Sequence, residues 1–236
     1  MPELIRPSTV LPANRRPISI TTADGLKLVG EVATPLAPRV ATLLCLHPLP
    51  THGGMMDSHI LKKAANRLPA MADIEIVRFN TRGTSSESGT SEGAFDFGNA
   101  ERLDVEAAIN FALEQLHTEN LWVIGWSFGT DMAIRYARNS HVKGLILLSP
   151  PLRTSTSEDL DFWASDGRPI TALIPEHDDY LKPPEAAVKF APIPQIKLVN
   201  VDEAKHLWVG EPSVYRVLTE VVSMLNPVAL PLPEDF

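Results

Sequence analysis

Ser127 stands in the run Gly125-Trp126-Ser127-Phe128-Gly129, with a glycine two residues before it and another two residues after. A serine hydroxyl at its ordinary pKa is a weak nucleophile and has to be activated by a neighbouring base. The glycine spacing suits a serine lifted out of the packing on a sharp bend, since glycines there remove Cβ atoms that would strike neighbouring backbone. Such a bend needs a strand before it and a helix after it. Leu121 to Gly125 reads as the strand, and Thr130 to Tyr136 as the helix. The start of that helix offers free N–H groups and the positive end of a dipole, which favour a developing oxyanion nearby.

A serine nucleophile calls for a histidine base and a carboxylate to orient it. Of the seven histidines, His206 follows the strand-like run Ile196 to Val201 and precedes the last helix-like segment. That places it at the carboxyl edge of a strand, where sites in parallel sheets collect. The acid is expected at the strand edge before it, in Ile170 to Tyr180, where Asp178 and Asp179 both stand. Asp178, three residues past the point where Pro175 is expected to end the strand, is preferred, and Asp179 is the alternative. His177 in the same loop reads as a turn residue.

The elements that must position these groups alternate along the chain. Ile18 to Thr22 and Leu26 to Thr34, around Ala23-Asp24-Gly25, predict a hairpin. Strands are then expected at 40–46, 74–79, 121–126, 142–148, 170–174 and 196–201. Helices are expected at 59–68, 97–117, 128–138, 184–190 and 213–225. Near-continuous apolar runs such as Val40 to Leu46 suit strands covered on both faces, and strands alternating with helices predict a mostly parallel, doubly wound α/β sheet of about eight strands. The chain reads as one domain over residues 1–236. Its ends, 1–17 with four prolines and 226–236 with three, are expected to run extended over the surface.

Composition narrows the function classes. With 44% hydrophobic residues the chain can bury a sizeable core, and no apolar run approaches the roughly 18 to 20 residues a bilayer requires. Twenty-one basic against 29 acidic residues give a net charge of −8, which argues against nucleic acid or an anionic membrane as partner. Cys45 is the only cysteine, so no internal disulfide framework is available, and the N-terminus lacks the basic and apolar pattern of a secretory signal. A cytoplasmic protein is the expectation.

The chain order Ser127, Asp178, His206, with the serine on its strand-to-helix bend, resembles the α/β-hydrolase superfamily. The likeness runs from the hairpin near Ile18 to the helix ending near Leu225. It is nearest the compact, lid-poor serine esterases and the dienelactone-hydrolase-like branch, and implies an α/β-hydrolase fold without a large cap domain. In that family a loop after an early central strand supplies an oxyanion donor, and Leu46-His47-Pro48-Leu49-Pro50 with His52-Gly53-Gly54 looks like that loop. The resemblance implies the N–H groups of Leu49 and Phe128 as donors. Pro48 and Pro50 have no N–H, so Leu49 is the one backbone donor among 48–50, and His47 shapes the loop. Asn80-Thr81-Arg82-Gly83 looks like the family's Arg-Gly turn, with Ser85 where a second glycine is common. Serine at 127 excludes the aspartate nucleophile of dehalogenases and epoxide hydrolases.

The family's lid is inserted after the strand that follows the nucleophile helix. Pro151 to Arg168 is too short for a helical cap, so an open site is expected, with Leu160 to Trp163 as a short flap. Trp126 and Trp208, flanking the serine and following the histidine, are expected to contact substrate. His47, His52, His59 and Asp57 match no closed zinc spacing, and neither metal nor cofactor is expected. Cys45 reads as core, and Asp131 as a carboxylate favoured by the helix dipole. The expected activity is cleavage of a small carboxylic ester or thioester through an acyl-enzyme. An amidase or peptidase on the same groups, or a non-catalytic relative that binds a small ligand or partner, is the alternative.

Overall fold

The computed structural model describes residues 4–235; residues 1–3 and 236 of the two proline-rich ends lie outside them. Strands β1 (Asn14–Thr21) and β2 (Lys27–Thr34) form the antiparallel hairpin, paired from Asn14 with Thr34 to Thr21 with Lys27. Then follow β3 (Ala41–Leu46), α1 (His59–Ala72), β4 (Ile74–Phe79), a two-stranded ribbon of β5 (Ser85–Ser86) and β6 (Gly89–Thr90), and α2 (Glu101–Glu114). The second half runs β7 (Leu121–Trp126), α3 (Phe128–Tyr136), β8 (Val142–Leu148), α4 (Ser157–Asp166), β9 (Ile170–His177), α5 (Pro183–Lys189), β10 (Ile196–Lys205) and α6 (Glu211–Leu225).

The main sheet has eight strands in the order β1-β2-β4-β3-β7-β8-β9-β10. The six from β4 to β10 are parallel, and β2 joins them antiparallel through β4. Strands β3, β4 and β7 are buried along their whole length, as central strands covered on both faces must be. Successive side chains go to opposite faces. Leu44, Leu46 and Val123 join one core with Val105, Met132 and Trp163 of α2, α3 and α4, while Leu43, Cys45 and Ile124 join another with Leu61 and Leu68 of α1 and Val217 and Val221 of α6. From β3 the chain winds to β4 on one side and then crosses to β7 on the other. The carboxyl ends of β3 and β7 therefore flank the point where winding reverses, and a crevice opens there in such sheets. Among the described residues no helix is long and apolar enough to cross a membrane.

Among the differences from the sequence reading, two strand or helix ends and the expected flap have identifiable reasons. Helix α1 continues past Pro69 to Ala72, because the Ala65 carbonyl that a proline deprives of its helical donor accepts instead from Arg15 Nη2 at 3.2 Å. Strand β9 likewise passes through Pro175 to His177. Its pairing with β8 stops at Leu173, so beyond that residue β9 borders only β10, and a missing N–H on the open side costs no ladder bond. The expected flap at 160–163 is part of α4, which starts with a capping box between Thr156 and Asp159 and lies on α3. Trp163 is fully buried there and donates from Nε1 to the Ile134 carbonyl at 2.8 Å, so it cannot swing over a site.

Candidate active site

The bend between β7 and α3 holds Ser127 at φ 51°, ψ −117°, a region that L residues rarely occupy. Three hydrogen bonds fix it: the Ser127 N–H donates to the Leu148 carbonyl of β8 at 2.9 Å, and the Thr130 N–H and hydroxyl both donate to the Ser127 carbonyl at 2.8 and 2.7 Å. The two glycines are required by close approach. A Cβ on Gly125 would lie 2.3 Å from the Gly129 carbonyl oxygen, and one on Gly129 would lie 2.2 Å from the Leu46 carbonyl oxygen. The bend is thereby pressed against the end of β3, and the two loops that flank the crevice meet.

His206 reaches the serine from the far edge of the sheet. Its Nε2 lies 2.9 Å from Ser127 Oγ, and its Nδ1 lies 2.9 Å from Asp178 Oδ2. An ionised Asp178 only accepts, so Nδ1 carries the proton and Nε2 is left to accept from the serine hydroxyl. The other carboxylate oxygen, Oδ1, accepts from the N–H groups of Tyr180 at 2.8 Å and Leu181 at 3.2 Å. Burial works against ionisation of Asp178, but the hydrogen bonds from His206, Tyr180 and Leu181 outweigh it and hold the pKa below the ordinary value. Asp179 is exposed and lines an open cavity with Glu203, Lys205, His206 and Leu207, but the imidazole's hydrogen bond goes to Asp178. Geometry thus separates the two aspartates that sequence left open.

The loop after β3 is held from beneath. His47 is buried; its Nδ1 donates to the Pro48 carbonyl at 2.7 Å, and its Nε2 accepts from the Thr81 N–H at 3.0 Å. Burial pushes its pKa down to about 4, so the ring is neutral and keeps the tautomer this arrangement needs. A trans peptide points its N–H opposite to its C=O. With the Pro48 carbonyl tied to His47, the Leu49 N–H is turned away from His47. Neither this N–H nor that of Phe128 donates to another group among the described residues, which leaves both free for a ligand. Arg82 anchors the supporting turn: its N–H and guanidinium donate to the buried Asp104 of α2 at 2.8 to 3.0 Å.

Trp126 and Trp208 require a correction. They are 2% and 0% exposed and belong to the core beneath the sheet, so they do not face a substrate. Trp126 Nε1 donates to the His206 carbonyl at 3.2 Å, Ser149 Oγ donates to the same carbonyl at 3.3 Å, and Trp208 Nε1 donates to Ser149 Oγ at 2.9 Å. Together they clamp the backbone of His206. Ser149 was missed in the sequence, where a serine just past a strand carries no distinguishing signal. Asp131 also does more than answer a helix dipole: its buried carboxylate accepts from the N–H groups of Arg153, Thr154 and Ser155 and from the Ser155 hydroxyl, tying down the loop that follows β8.

The histidines weighed for a metal have separate partners: His47 as above, His52 beside Thr51, and His59 on the Leu207 carbonyl. Among the described residues Glu176, His177 and Glu203 bring metal-ligating atoms within reach of one another, all three exposed at the ends of β9 and β10. The imidazole lies 3.9 and 3.6 Å from the two carboxylates, and all three groups stand in solvent.

The chain has relatives among known proteins. It matches the alpha/beta hydrolase fold family over residues 41–172, more than half its length, and belongs to that family. XC6422 from Xanthomonas campestris, described as an α/β serine hydrolase without a lid, is 25% identical with a TM-score of 0.74, over 96% of this chain and 100% of that one. An α-β serine hydrolase homologue from Coxiella burnetii, 21% identical, gives 0.76 over 92% and 100%, and the esterase Pf2001 of Pyrococcus furiosus, 18% identical, gives 0.73 over 94% and 98%. At those two lower identities the likeness is one of fold. No curated protein matches by sequence. The chain is thus a compact α/β hydrolase with no large cap domain, and family and neighbours support hydrolase activity.

Proposed function

We propose that this protein is a serine hydrolase that cleaves small carboxylic esters or thioesters through an acyl-enzyme. The observation that carries this reading is the continuous hydrogen-bonded line Ser127 Oγ, His206 Nε2, His206 Nδ1, Asp178 Oδ2, with both links at 2.9 Å. Ser127 Oγ attacks the carbonyl carbon as His206 Nε2 takes its proton. Asp178 holds the imidazole in the right tautomer and stabilises the imidazolium. The carbonyl oxygen gains negative charge as the tetrahedral intermediate forms, and the N–H groups of Leu49 and Phe128 bind it. Each such donor is worth about 3 kcal/mol in the transition state. The intermediate collapses, breaking the bond to the alkoxide or thiolate, which leaves with the proton from His206. Water, deprotonated by the same nitrogen, then attacks the acyl-enzyme and releases the acid with Ser127 restored.

The absence of a large cap domain favours small or extended substrates over long lipids sealed from solvent. Labelling with a fluorophosphonate tests the reading. A single adduct at Ser127, lost in Ser127→Ala, is expected. A protein that only binds a ligand or partner on this fold stays unlabelled, and that result contradicts the proposal. Turnover of an ester and its matching anilide then separates esterase from amidase.

A further inference from the structure

The imidazole of His206 does not face open solvent alone. The ring of Tyr180 stands edge-on to it with centroids 4.6 Å apart, and the guanidinium carbon of Arg153 lies 4.9 Å over the same tyrosine ring. Arg153 is therefore one aromatic ring away from the group that touches Ser127. It is exposed and, like Arg6, Arg15, Arg16 and Arg135, makes no ion pair among the described residues, whereas eight other arginines do. Its placement is nevertheless built. The buried Asp131 carboxylate holds the backbone N–H groups of Arg153, Thr154 and Ser155, so the loop is fastened to the nucleophile helix itself. A guanidinium stacked on one face still presents its in-plane N–H fork, which matches a carboxylate.

We infer that Arg153 is a specificity residue, and that the preferred substrate is an ester or thioester carrying a second, anionic group such as a carboxylate, bound by the Arg153 guanidinium while Ser127 attacks the carbonyl. This rests on the hydrolase reading above.

The test compares p-nitrophenyl hydrogen adipate with p-nitrophenyl hexanoate, esters matched in length that differ in the terminal carboxylate. At low salt the wild type is expected to favour the adipate in kcat/KM by about tenfold, with the preference shrinking as salt rises. Arg153→Gln is expected to lower the adipate-to-hexanoate ratio at least tenfold through KM, and Arg153→Lys to restore part of it. The ratio does not depend on how much of a variant is folded. A wild type that favours hexanoate, or a ratio unchanged in Arg153→Gln, overturns the inference. If neither ester is turned over while fluorophosphonate still labels Ser127, the anionic-substrate inference falls and the hydrolase reading stands; if Ser127 is not labelled either, both fall.

Discussion

Asp178 and Asp179 are adjacent and carry the same group, yet only one reaches the imidazole, because the Tyr180 and Leu181 N–H groups fold the chain back onto Asp178 and leave Asp179 in solvent. Asp178→Asn is expected to lower kcat by about 10⁴-fold, since an amide no longer enforces the Nδ1–H tautomer, while Asp179→Asn stays within about twofold. Steady-state turnover of one ester by the two variants checks this; equal losses count against the assignment. Ser127 was legible because the glycine spacing has a steric cause that sequence preserves. The choice between the aspartates was not, because it depends on a turn whose two N–H donors look like any others in the sequence. Trp126 and Trp208 misled for a related reason: proximity to Ser127 and His206 along the chain says nothing about which face of the sheet a ring joins.

Elements position the site through a relay of supports rather than by direct contact. Asp104 on α2 holds Arg82 after β4, the Thr81 N–H beside it fixes the His47 ring, and His47 fixes the Pro48 carbonyl that aims the Leu49 N–H. The links from Asp104 to Arg82 and from Thr81 to His47 are buried, so breaking either leaves a buried polar group without that partner. Asp104→Ala leaves Arg82, which is 5% exposed, with only the half-exposed Asp24 as an ionic partner, and is expected to cost about 2 to 3 kcal/mol of stability in urea unfolding. A loss under about 1 kcal/mol shows that the pair does not anchor the turn. The hydrophobic periodicity made the existence and order of the strands and helices around this relay readable, and β4, β7 and β8 begin and end where expected. Helix α1 and strand β9 ran past their prolines because distant partners, Arg15 and the open side of β9, removed the penalty that proline carries by itself. Such compensation is tertiary and leaves no local trace.

At the scale of the whole molecule, burying His47 as a neutral ring links stability to pH. Its folded pKa is pushed down to about 4 from an ordinary value of 6.5. Between those values the unfolded chain binds a proton that the folded chain does not, so the His47 contribution is complete above pH 6.5 and is lost as pH falls towards 4. The slope is at most about 1.4 kcal/mol per pH unit, or about 3 kcal/mol across the window. Unfolding free energies at pH 7 and pH 5 are expected to differ less in His47→Gln than in the wild type; an unchanged difference contradicts the assignment. The architecture was the most legible level, since buried strands alternating with helices leave few ways to pack, and eight strands with a parallel centre are what the structure has. The most direct measurement is hydrolysis of short p-nitrophenyl acyl esters by the purified protein and by Ser127→Ala. The expected result is turnover by the wild type that falls by at least about 10⁴-fold in the variant, and wild-type inactivity, or activity that survives the loss of Ser127 Oγ, contradicts the central claim.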